Sequence, residues 1–209
     1  MDTFDLYKDI QCRTNGEIYL GVVGPVRSGK STFIKRFMDV LVLPKMTDEH
    51  AKERTVDELP QSASGKSIMT TEPKFVPKEA AEIQLAKDVS VLVRLIDCVG
   101  YMVEGAAGYM ENGAERLVKT PWNEKEIPFT KAAEIGTKKV IHDHSTIGIV
   151  VTTDGSIGEL PRNSYRAAEK KTIQELKSIG KPFVVLVNTR KPYSAEAKTW
   201  QKKSRKNIR

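Results

Sequence analysis

Eight consecutive residues, Gly24-Pro25-Val26-Arg27-Ser28-Gly29-Lys30-Ser31, fit the phosphate-loop pattern G-x-x-x-x-G-K-[ST] without a mismatch. Residue types at this spacing share one chemistry, the grip on a polyphosphate. The glycines let successive backbone N–H groups turn inward, the lysine reaches the β- and γ-phosphates, and the serine hydroxyl sits on Mg²⁺. A helix beginning near Lys30 adds the positive end of its dipole. The candidate nucleotide-binding set is therefore Gly24, Pro25, Val26, Arg27, Ser28, Gly29, Lys30, Ser31 and Thr32. Ser64-Gly65-Lys66-Ser67 imitates the end of the pattern, but the spacing needs glycine at position 60, where Pro60 stands.

Two further groups extend the site. Asp97-Cys98-Val99-Gly100 follows an apolar run. An acidic side chain at the end of a buried strand is expensive unless a cation faces it, and Mg²⁺ is the natural partner. Gly100 then offers its N–H to the γ-phosphate with no side chain in the way. Cys98 reads as packing. Upstream, Met69-Thr70-Thr71-Glu72-Pro73 places threonines in a polar stretch before the next strand. In P-loop switches such a threonine closes over Mg²⁺ and the γ-phosphate. The metal set is Ser31, Thr71 and Asp97, and the catalytic set is Lys30, Thr70, Thr71 and Asp97 with Arg27.

These residues need elements to position them. Glu17 to Val23 predicts a buried strand entering the loop, and Thr32 to Leu41 carries helical apolar spacing behind it. Phe4 to Arg13 predicts a short amphipathic helix, and Met46 to Thr71 a long surface loop. Glu82–Leu85 and Val89–Ile96 predict a hairpin. Tyr101 to Phe129, rich in glycine, is a candidate second switch. A helix over about 130–144, a strand from Ser145, a helix over 161–179 closed by Gly180 and a strand over 183–188 follow. His142 and His144 flank Asp143, but no further cysteine or histidine cluster supports a metal there. Strands alternating with helices predict an α/β fold: a mostly parallel sheet with helices on both faces and one antiparallel hairpin.

Composition narrows the function classes. The 209 residues suit one domain, expected over 1–198, and no apolar run approaches the roughly 20 residues of a membrane span. Cys12 and Cys98 make no disulfide framework, and the acidic start lacks the character of a signal peptide, which together indicate the cytosol. The net charge of +7 resides in the last twenty residues, where eight Lys/Arg meet one Glu; the other 189 balance 26 against 26. A neutral body gives little drive toward nucleic acid, and none is expected as a partner. Residues 199–209 carry no period and no acidic residue. Read back into degenerate codons and shifted by one frame, they continue an amphipathic helix from Pro192–Ala197. This predicts an out-of-frame, disordered basic tail after about Lys198.

The order of phosphate loop, threonine loop, hairpin and D-x-x-G is that of the translation-factor and Ras-like class of P-loop proteins. That class reads guanine with N-K-x-D after a later strand. Here the strand ends Asn188-Thr189-Arg190-Lys191. Asn188 is retained as a nucleotide-site residue, but a lysine at 191 cannot accept the guanine N–H groups. The site therefore argues against GTP as sole substrate and allows ATP. Tyr101 stands where many of the class place a water-positioning glutamine. Some hold K⁺ with an asparagine three residues before the loop lysine; here Arg27 occupies that position, and its guanidinium is expected to supply the charge.

The chain up to about Lys198 also resembles a specific family, the N-terminal domain of stage IV sporulation protein A of endospore-forming bacteria. The resemblance rests on Leu20 to Phe37, Glu58 to Ala63, Met69 to Pro77, Asp97 to Tyr101, Ala133-Glu134-Ile135-Gly136-Thr137 and His144 to Gly148. It implies a Mg²⁺-dependent ATPase whose cycle drives self-polymerisation into the basement layer of the spore coat. It further implies a place on the mother-cell side of the forespore membrane, a small membrane-anchoring protein and other coat proteins as partners, and several hundred further residues in the family, so that this chain is a truncated NTPase domain. Two other readings stay open: an assembly protein that holds nucleotide only as a ligand, and a GTPase.

Overall fold

A computed structural model describes residues 16–60, 71–86, 89–111, 113–195 and 197–199. The expected helix over 4–13, the 64–67 imitation and Thr70 lie outside the described residues. The centre is a five-stranded sheet in the order β2-β3-β1-β8-β9. The strands are β1 (Glu17–Val23), β2 (Lys74–Ala86), β3 (Val89–Asp97), β8 (Ile147–Thr153) and β9 (Phe183–Asn188). Strands β3, β1, β8 and β9 run parallel, and only the edge strand β2 is antiparallel. This is the predicted α/β arrangement.

Period-two alternation sends neighbouring residues to opposite faces. Val22, Leu95, Ile149 and Val151 face one core with Ile34, Met38 and Val42. Val23, Ile96 and Val150 face the other with Val140, Ile141, Tyr165 and Leu176. The first core lies under α1 (Lys30–Phe37), the second under α4 (Arg162–Ser178) and the turn that follows α3 (Phe129–Lys139). Ile34, Met38, Ile141 and Leu176 are fully buried. Each contributes about 1.5–3 kcal/mol by leaving water. Two helices end in a widened turn, Met38–Val42 after α1 and Val140–His144 after α3. The second turn is closed by the Lys181 ammonium, which donates to the carbonyls of Ile141, His142 and Ser145. A cation at carbonyls left free by a helix end is favourable on charge and hydrogen bonding alike.

Two expectations are corrected. The polar stretch from Met46 contains a helix, α2 (Glu49–Glu58). It buries only Thr55, so its apolar stripe is too thin to read. A cap makes it: the Asp48 carboxylate accepts from His50 N at 3.0 Å and Ala51 N at 3.2 Å. The hairpin is also longer than predicted, because β2 starts at Lys74. A register shift between Val76 and Ala81 absorbs Pro77, Lys78 and Glu79, which break the alternation.

The segment from Tyr101 to Phe129 folds into two small ribbons. One pairs β4 (Met110–Glu111) with β5 (Ala114–Glu115), the other β6 (Leu117–Thr120) with β7 (Asn123–Pro128). The Glu115 carboxylate then accepts from Thr130 N at 2.8 Å, in the first turn of α3. At the other end, the Thr199 hydroxyl donates to Ala195 O at 2.8 Å, and residues 200–209 are outside the described set. No helix among the described residues is long and apolar enough to cross a membrane.

Candidate functional site

The glycine loop leaves β1 at its carboxyl end and turns over the start of α1. Gly24, Gly29 and Gly100 all have positive φ, at 133°, 94° and 93°. Contacts fix them as well. A Cβ on Gly24 would lie 2.4 Å from Val151 O, and one on Gly100 would lie 2.1 Å from Gly24 O and 2.6 Å from Lys30 Nζ. Backbone bonds lock the two segments together: Tyr101 N donates to Gly24 O at 3.1 Å, and Val26 N donates to Tyr101 O at 2.8 Å. The D-x-x-G corner and the phosphate loop thus form one wall.

Lys30 is buried within this wall, and its ammonium donates to Pro25 O at 2.6 Å. Burial holds its pKa below the ordinary lysine value, against the opposing pull of Cys98 and Asp97. Beneath it the Ser31 hydroxyl donates to Asp97 Oδ2 at 2.7 Å. Asp97 Oδ1 is buried with no hydrogen-bond partner. Burial pushes the carboxyl up, opposed by the Ser31 hydroxyl and the Lys30 charge. A hydroxyl and a carboxylate in contact, with one carboxylate oxygen unspent, fit a hard, oxygen-seeking cation such as Mg²⁺. Cys98 is unlike its neighbour: burial pushes its thiol up to about 11, and it donates weakly to Val22 O. It packs as a neutral group.

A family model described as "Stage IV sporulation protein A, ATPase domain" matches residues 1–208. The chain belongs to this family. Similar proteins carry the same name. The stage IV sporulation protein A of Bacillus anthracis is 56% identical over 193 residues, that of Bacillus subtilis (strain 168) 56% over 196, and that of Clostridioides difficile (strain 630) 59% over 192. These alignments take in 92–94% of the chain and 39–40% of the relatives, so the chain spans about two fifths of their length.

With the stage IV sporulation protein A ATPase domain as frame, the predicted residues divide by position. Gly24 to Ser31, Asp97 and Gly100 converge as described, while Thr32, on the first turn of α1, is exposed. Thr71 stands at the same end of the sheet: Lys74 pairs with Asp97, so the residues before it project past the end of β3. Its backbone rests on α3, where a Cβ on Gly136 would meet Thr71 O at 2.6 Å. Arg27 has φ 59°, is exposed, and reaches Ala107 O at 3.3 Å in the glycine-rich segment. Asn188 donates from Nδ2 to Ser28 O at 3.3 Å and lies where a Cβ on Gly29 would fall, at 2.3 Å. It braces the loop from behind.

Sequence reasoning did not find the knot beside Asn188. The Thr189 hydroxyl donates to Asp154 Oδ2 at 2.5 Å, Ser156 N and Oγ both donate to Asp154 Oδ1, and Arg190 N donates to Ser156 Oγ. The Asp154-Gly155 turn after β8 was the available signal, but its partner is 35 residues away. Nor did it find Arg162, which pairs with Glu169 at 2.7 Å while the Thr152 hydroxyl donates to the same carboxylate oxygen. His142 faces Glu175 at 3.1 Å and Asp143 faces Lys139 at 3.7 Å.

Proposed function

We propose that the chain is a Mg²⁺-dependent ATP hydrolase, a P-loop domain of the translation-factor and Ras-like class occupying residues 1–198. The observation that carries this reading is the joint placement of Lys30, Ser31 and Asp97: a buried ammonium above a hydroxyl–carboxylate pair with one oxygen unspent. Backbone N–H groups of the Gly24–Ser31 loop, other than at Pro25, which has none, and at Val26, whose N–H is given to Tyr101 O, would hold the phosphates together with Gly100, and Lys30 would neutralise the charge that develops between β and γ. Ser31, Asp97 and Thr71 would hold the metal, which supplies Lewis-acid polarisation of the phosphoryl oxygens. Thr70 and Thr71 would sense the γ-phosphate. Arg27, next to the phosphates, would stabilise transition-state charge from within the chain.

Lys191 at the position of a guanine-reading aspartate supports ATP over GTP. In the longer relatives we place this turnover upstream of self-assembly into the spore-coat layer on the mother-cell face of the forespore. The contacts to membrane-anchoring and other coat proteins would belong to regions beyond those aligned here. The test is phosphate release with ATP and GTP side by side. Release from ATP, dependent on Mg²⁺, is expected. Equal or faster release from GTP refutes the base assignment, and no release from either points to an assembly protein with a bound ligand.

A further inference from the structure

Gly136 lies in the middle of α3, where glycine costs about 1 kcal/mol relative to alanine. It is buried, and a Cβ added there would stand 2.6 Å from Thr71 O and 3.8 Å from Pro73 Cδ. The contact is with backbone, so no side-chain rotation relieves it. Thr71 itself is buried at 5% exposure. The next residue of the helix, Thr137, is fully buried, and its hydroxyl lies beside the Cys98 thiol, one position after Asp97. One turn of α3 therefore abuts both the threonine segment and the end of β3.

We propose that Gly136 is a positioning residue for ATP hydrolysis: its missing side chain sets how closely the Thr71 backbone approaches α3, and with it the distance from the Thr71 hydroxyl to the metal and γ-phosphate. The proposal rests on the functional reading of Thr71 above. Gly136→Ala moves the Thr71 carbonyl back by roughly 0.8 Å to reach ordinary contact. A cleft of about 390 Å³ lies between Thr71–Lys74 and Arg116–Lys119, so the segment can shift without unfolding the helix. Displacement near 1 Å in a positioning group costs on the order of 100-fold in rate.

The experiment compares the parental chain with Gly136→Ala and with Lys131→Ala, an exposed position on the same helix. Phosphate release from ATP, affinity for a non-hydrolysable ATP analogue and melting temperature are measured on each. Gly136→Ala is expected to lose about ten- to 100-fold in kcat, to keep analogue affinity within about threefold, and to stay folded at the assay temperature while melting a few degrees below the parent, since the atom it meets is backbone. Parental turnover in Gly136→Ala overturns the proposal, and so does a loss of affinity equal to the loss of rate. A second measurement does not depend on the variant folding. In the parental chain, amide exchange over 71–75 and over 133–140 should slow together when Mg²⁺ and the analogue are added. Slowing at 71–75 alone overturns the coupling. A parental chain that binds the analogue without hydrolysing ATP refutes the proposed function and leaves the exchange measurement to judge the contact.

Discussion

Replacing Asp97 with asparagine separates a functional carboxylate from a structural one, because the two predict opposite signs. Asp97 Oδ1 is buried without a hydrogen-bond partner, and burial raises the carboxyl above its ordinary value of 3.8. A buried unpaired polar atom costs about 1–3 kcal/mol, more when charged. The amide keeps an oxygen for the Ser31 hydroxyl; its Nδ2 stays unpartnered where Oδ1 was, but the buried charge, the larger cost, is gone. Asp97→Asn should therefore stabilise the nucleotide-free chain by about 1–2 kcal/mol, a rise of roughly 4 °C in melting temperature for a domain of this size. The pH dependence follows. With the folded pKa raised, the folded chain holds its proton longer than the unfolded chain. The penalty is absent below 3.8, grows as pH rises from there to the folded pKa, and is complete above it. The advantage of the asparagine variant should shrink as pH falls toward 3.8. Ligand reverses the order. At 100 times its dissociation constant, Mg²⁺·ATP should stabilise the parental chain by about 2.7 kcal/mol, and the variant by far less. Calorimetric melting with and without Mg²⁺·ATP reads both signs. A variant that melts lower than the parent without nucleotide refutes the reasoning, since the carboxylate would then be holding the fold.

Lys30→Ala should remove nucleotide binding while leaving the fold intact, because burial already disfavours the ammonium; a fluorescent ATP analogue titrated into a variant of parental circular dichroism checks it. Arg27→Asn, assayed with and without K⁺, should lose turnover in Na⁺ and regain part of it in K⁺, and unchanged turnover in both salts leaves Arg27 as a loop residue bonded to Ala107. Asn188→Ala removes the donor to Ser28 O and should weaken ATP and GTP alike by about five- to tenfold, the worth of one hydrogen bond, as read by titration calorimetry.

What could be read in advance was whatever local sequence determines. Strands β1, β3, β8 and β9 are runs of β-branched residues long enough to carry their own signal, and their parallel order follows from the helices between them. Helix α2 was missed because one Asp48 cap organises it and almost nothing is buried beneath it. The start of β2 was missed because its bulge breaks the alternation. Within the site, the convergence of Lys30, Ser31 and Asp97 was legible from type and spacing. The seat of Thr71 was not, since it depends on a glycine 65 positions later in α3, and glycine inside a helix announces no partner.

The remnant of N-K-x-D shows why one letter of a motif can outlast the others. Asn188 gives one N–H to Ser28 O and fills the space behind Gly29. That support holds the loop and makes no reference to a base. The lysine and aspartate of the motif are the letters that read guanine, and here Thr189 and Lys191 stand in their places. Thr189 instead turns its hydroxyl to Asp154, Ser156 bonds the same carboxylate, and the backbone of Arg190 closes on Ser156. The polar atoms at this corner satisfy one another, leaving Lys191 exposed at the position of the guanine-reading carboxylate. The departure from the guanine-reading letters and the support of the loop therefore lie in one four-residue stretch, on residues that face different partners.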